Sequence, residues 1–180
     1  MASLAQPESK NSEWLETDGL GGFASGTAGG IRTRRYHALL LVATAPPLRR
    51  MVLVNGADAE LETGTQRYAL STQRYAPNVN HPDGIDRLQT FDLAPWPRWT
   101  YAAGEGRVVH ELFVPKDRTA VVLRWRWEGP APAAPLRLHV RPFFSAAAIT
   151  RPTTPTPLSA FCPWPCPKAS AGTSTTACRR

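Results

Sequence analysis

The chain has 180 residues, 42% hydrophobic and 19% charged, with 18 prolines, 13 glycines, 3 cysteines and a formal net charge of +7. That length buries a sizeable core without metals or disulfides. The longest apolar run, Ala38 to Ala43, is far below the roughly 20 residues of a spanning helix, and no membrane association is expected.

The opening MASLAQPESKNS has neither a basic start nor a continuous apolar stretch, so a cytoplasmic protein with a flexible segment over residues 1–11 is expected. Glu13 to Thr17, within SEWLETD, does not read as a buried strand. Asp18 to Gly30, DGLGGFASGTAGG, then holds six glycines in thirteen residues. Gly19 to Ala24 formally satisfies G-x-G-x-x-A, but no buried strand precedes it and no acidic residue follows near position 40 to hold a ribose. A phosphate-binding loop fails as well, because Thr27 stands where Lys is needed. Turns and close backbone approaches explain the glycines instead.

Arg35 to Val42 and Met51 to Asn55 are apolar runs of strand length, the second ended by the turn pair Asn55-Gly56. Asn80-His81-Pro82-Asp83-Gly84 and Ala94 to Tyr101, APWPRWTY, read as irregular. Gly106 to Val114 is a strand stopping at Pro115. Thr119 to Glu128 has the clearest pattern, with Val121, Leu123, Trp125 and Trp127 on one face and Val122, Arg124 and Arg126 on the other. Leu136 to Arg141 alternates again, turning Leu136, Leu138 and Val140 to a covered face and Arg137, His139 and Arg141 to solvent. No window keeps a helical period. The fold class is all-β, an antiparallel β-sandwich.

Residues 1–128 carry fifteen basic and fourteen acidic side chains, whereas residues 129–180 carry six basic and none acidic. The basic groups are scattered, so nucleic acid is not an expected partner. Residues 151–180 hold six Pro and nine Ser or Thr, with no Val, Ile, Tyr or acidic residue. Such a composition builds no core. A disordered Pro-rich tail over 146–180 and a stretch translated out of frame both fit it. Cys162, Cys166 and Cys178 match neither a zinc site nor a C-x-x-C redox pair.

Candidate binding residues fall into two polar clusters and one aromatic group. Arg34, Arg35, Tyr36 and His37 form one cluster, and His81 and Asp83 the other. Trp96 and Trp99, with Tyr101 nearby, supply flat rings. Arginines, carboxylates and rings are what a sugar site uses, since hydroxyls want paired polar partners and sugar faces stack on aromatics. Filling a sandwich core is the competing role for the tryptophans. Asp83, Asp86 and Asp92 include no marked acid and base pair for glycoside hydrolysis. His37, His81, His110 and His139 show no metal-ligand spacing, so neither a metal nor a cofactor is expected.

Two runs, Glu13-Trp14-Leu15 with Asp18 to Thr27 and Thr33 to Leu40, resemble the amino-terminal domain of bacterial and archaeal glycogen debranching enzymes. The similarity continues more loosely through His81 to Gly84, Leu88, Phe91 and Pro97 to Tyr101, and covers about residues 12–145. One departure is Ala38, where the family pattern usually has Gly. The resemblance implies a supersandwich-like domain preceding an (α/α) barrel in enzymes that act on α-1,6 branch points of glycogen and related α-glucans. It also implies that the hydrolytic carboxylates belong to the barrel, so no catalytic residue is assigned here. The expected partners are an α-glucan and that barrel, with the chain truncated before it and inactive alone. The Gly-rich segment and Thr33 to His37 are expected to border the substrate cleft, with Arg34 and Arg35 pairing with carboxylates of the barrel. A free-standing α-glucan-binding module using Trp96, Trp99 and Tyr101 is the competing expectation.

Overall fold

Alternating apolar residues and frequent turn signals give a chain of short strands, and the computed structural model describes them over residues 10–45, 49–132 and 134–149. The tail from residue 150, with its three cysteines, lies outside the described residues. In order they are β1 (Glu13–Thr17), β2 (Phe23–Thr27), β3 (Ala38–Ala45), β4 (Arg49–Thr63), β5 (Gln66–Ala69), β6 (Gln73–Tyr75), β7 (Val79–His81), a single helical turn α1 (Gly84–Arg87), β8 (Leu88–Asp92), β9 (Arg98–Ala103), β10 (Gly106–Phe113), β11 (Val122–Glu128) and β12 (Leu136–Ala148).

Two antiparallel sheets carry the fold. The first runs β1-β2-β3-β4-β12 with β5 also on β4, the second runs β11-β10-β9-β8, and β6-β7 form a separate hairpin. The core lies between the sheets. Trp14, Ala24, Ala59 and Leu61 from the first meet Phe91, Trp99, Tyr101, Val108 and Leu112 from the second, all at most 6% exposed. Each fully buried aliphatic or aromatic side chain contributes roughly 1.5–3 kcal/mol. The expected sandwich is therefore present.

Several elements correct the reading of the sequence. Glu13 to Thr17, not expected as a buried strand, forms an exposed edge strand in which only Trp14 is buried while Glu13 and Leu15 stay exposed. Asn55-Gly56 is not a turn, because β4 continues through it with β3 and β12 hydrogen-bonded on either side. Phe143 faces Gly56 and Phe144 faces Val54, so Asn55 is the extra residue of a bulge. Two flanking ladders outweigh the local turn preference. APWPRWTY is also less irregular than its prolines suggest, since β9 begins at Arg98 and turns Trp99, Tyr101 and Ala103 inward.

The alternation of β11 and β12 holds, but the cover over β12 does not. Val121, Leu123, Trp125 and Trp127 pack onto the core, and so does Leu136. Leu138 and Val140, expected to be covered, remain 40% and 41% exposed. They pair with Leu61 and Ala59 of β4, which are buried, so they share the core face one strand further out. The second sheet does not reach over them.

Candidate functional site

The Gly-rich segment joins β1 to β2 around a buried carboxylate. Asp18 is 3% exposed, and its Oδ1 accepts hydrogen bonds from the backbone N–H groups of Leu20 at 2.7 Å and Gly22 at 2.9 Å. An aspartate bonding forward to its own turn is a local alternative to the strand ladder. Gly19 and Gly21 hold positive φ, at 82° and 94°, and a Cβ on Gly22 would lie 2.4 Å from Asp18 Oδ2 and 2.7 Å from the Leu41 carbonyl oxygen. The glycines thus build a hairpin turn rather than a phosphate cradle.

Beside this turn lies a groove of about 490 Å³, lined by Glu13 and Leu15 of β1, Phe23 and Ser25 of β2, Arg34, Tyr36 and His37. Arg50 and Ile149 line it as well. Strand alternation explains the geometry: burying Trp14 turns its neighbours Glu13 and Leu15 outward. The segment after Gly30 returns over them, pinned by Ser25 Oγ donating to the Tyr36 carbonyl at 3.0 Å.

Arg34 donates from Nε to Glu13 Oε1 in a close ion pair. This contact holds the Glu13 carboxyl below its usual range and raises the Arg34 guanidinium. His37, only 5% exposed, sits beneath the pair with Nε2 3.5 Å from Glu13 Oε1. Its Nδ1 accepts from the backbone N–H groups of Thr33 at 3.1 Å and Arg34 at 3.4 Å. An Nδ1 accepting two such bonds carries no proton, so the ring is the neutral Nε2–H tautomer. Burial pushes its pKa down, with Glu13 pulling the other way. Tyr36 leaves half its surface, 50%, open to solvent.

Three of the residues singled out from the sequence, Arg34, Tyr36 and His37, therefore share one groove. Arg34 is held by Glu13 of the same chain. Arg35 is exposed next to them, outside the residues lining the groove. His81 and Asp83 lie elsewhere: His81 is exposed on β7, and Asp83 precedes α1 with Oδ2 accepting from Arg87 at 3.1 Å. Trp96 packs on Phe113 with ring centroids 5.4 Å apart.

Trp99 is a core residue, 4% exposed, donating from Nε1 to the Ala28 carbonyl at 2.7 Å and meeting Trp14 edge-on at 5.5 Å. Tyr101 is 5% exposed. Their rings are spent on the sandwich, so they present no face for a sugar. Glu13, Trp14, Leu15, Arg50 and Ile149 are the groove residues that reading the sequence missed, whereas Phe23 and Ser25 belong to the Gly-rich segment expected there. For Glu13 and Leu15 the signal was available, since in Glu13-Trp14-Leu15 a buried tryptophan fixes which neighbours project outward.

Chemically, the groove offers a half-open ring, an ion pair and backbone-anchored imidazole to a polyhydroxylated surface or a neighbouring protein face. Glu13 is the single carboxylate among its lining residues and is held ionised. Glycoside hydrolysis requires a second carboxyl group and a protonated acid. Among the described residues no group of three or more His, Cys, Asp or Glu side chains is placed to hold a metal, and no helix is long and apolar enough to cross a membrane.

A family model described as glycogen debranching enzyme N terminal matches residues 12–163. Comparison with curated proteins and with solved structures gave no match.

Proposed function

The chain belongs to the family of glycogen debranching enzyme N-terminal domains, and from that premise we propose that it is a non-catalytic, glucan-associated part of an α-1,6-glucosidase system. In this reading the groove over β1 and β2 meets a catalytic (α/α) barrel and borders the cleft in which the α-glucan lies. The observation that carries it is the groove's composition: an exposed Tyr36, apolar Leu15 and Phe23, and an ion pair, with one carboxylate that is kept ionised. Such a surface binds and orients without supplying a proton.

The competing module reading needs an aromatic platform, and the burial of Trp99 and Tyr101 leaves two of its three rings inaccessible. Co-sedimentation with glycogen separates the readings. The chain alone should remain in the supernatant, and it should enter the glycogen pellet when a separately produced debranching-enzyme barrel is added. Pelleting of the chain alone, unchanged by the barrel, would establish the module instead.

A further inference from the structure

Strand β12 is thirteen residues long and, among the described residues, pairs with β4 alone. An edge of that length exposes a row of backbone donors and acceptors that templates further pairing, and edges of this kind are usually blunted by prolines, inward charges or a covering element. Leu136 to Arg141 holds no proline and no inward charge, and no described element covers it; Pro142 and the register shifts at Phe143 to Ala147 interrupt the edge only beyond this stretch. Leu138 and Val140 stand on the core face, about two-fifths exposed, and Phe144 further along is 69% exposed.

The opposite face of the same stretch presents basic side chains. Arg137 and His139 keep 73% and 54% of their side-chain surface open, whereas Glu62, which both approach at 3.6 and 3.4 Å, keeps 18%. Glu62 is shared further with Arg67 at 3.0 Å. The acids lie inward on β4, and Arg137 and the His139 ring form the outermost row. Arg141 is held by Asp58 in the same arrangement.

We propose that the free edge of β12 accepts an extended polypeptide strand in which apolar and acidic residues alternate. With a side-chain period of two, every second residue of such a strand continues the apolar row of Leu138 and Val140, and the others fall beside Arg137 and His139. Backbone hydrogen bonds to the edge supply affinity, and the two faces supply the selection. This surface is separate from the groove over β1 and β2, and its test does not depend on the glucan reading.

Fluorescence anisotropy of the full chain with a labelled peptide of alternating Glu and Val tests the proposal, with a Lys and Val peptide and a block-ordered Glu and Val peptide as controls. Saturable binding of the alternating acidic peptide alone is expected. Leu138→Glu should weaken it by about tenfold or more. Arg137→Glu, on the solvent face and outside the core, should shift preference from the Glu peptide to the Lys peptide while the melting temperature stays put. Absence of saturable binding, or equal binding of all three peptides, overturns the proposal. So does a concentration-dependent dimer that Leu138→Glu dissociates, since a second copy would then cover the edge.

Discussion

His110 is a residue whose chemistry its surroundings alter strongly. It stands in β10 directly between two cross-strand neighbours, Trp99 and Trp125, with ring centroids 5.1 and 4.5 Å away. Enclosure between two indoles pushes its pKa down to about 4, against a backbone hydrogen bond to Arg124 that pulls it up. A pKa below the unfolded value means that the neutral ring stabilises the fold above pH 6.5 and that this stabilisation is lost as pH falls toward 4. His110→Phe should therefore flatten the acid limb, the wild type losing about 2 kcal/mol more than the variant between pH 7 and pH 5 in urea titrations followed by tryptophan fluorescence. His37 shifts in the same direction, so the variant keeps part of the slope. At Gly22 the constraint is steric: Gly22→Ala forces Cβ against Asp18 and the Leu41 carbonyl and should cost about 2 kcal/mol or more, read as a drop in melting temperature. The carboxylate of Asp18 has nowhere to retreat without giving up its two N–H partners.

At the scale of elements, what the sequence revealed was set by how local the deciding interaction is. Strand β11 was legible because alternation of large apolar and charged residues reflects a single buried face, and β10 because an apolar-rich run stops at Pro115. Asn55-Gly56 misled because a turn preference is a two-residue property, while β4 is held by partners about 14 residues earlier and about 90 later. Trp99 and Tyr101 were obscured by Pro95 and Pro97, although Arg98 to Ala103 alternates cleanly. In β12 the alternation correctly assigned faces, yet alternation carries no information on whether an opposing sheet extends that far. Directly paired Leu61 and Leu138 turn this into a test. Leu61→Ala should cost about 2–4 kcal/mol through the cavity it leaves, and Leu138→Ala less than about 1 kcal/mol, in equilibrium unfolding. Equal losses would mean that the edge of β12 is covered.

For the molecule as a whole, the family was carried by residues whose reasons are structural: the Asp18 turn, the glycines beneath Trp14 and Leu41, and the return of Thr33 to His37 over β1. Three residues of the proposed site followed from the same segment, because Arg34, Tyr36 and His37 lie within four positions of one another. Glu13 could be joined to them only by folding, since the hairpin that brings it under Arg34 depends on the Asp18 turn. Separation of His81 and Asp83 from that groove likewise follows from their position at the β7 and α1 corner. The central claim is that this sandwich presents the β1 and β2 groove to a catalytic barrel. It is tested most directly by measuring glucose release from a branched α-glucan by a separately produced barrel, with the chain absent, present, or present as Arg34→Ala with Tyr36→Ala. The account predicts that the chain alone releases no glucose, that it raises the barrel's rate, and that the double variant, folded by circular dichroism, loses most of that gain. Release by the chain alone, or a gain that the double variant keeps in full, would contradict it.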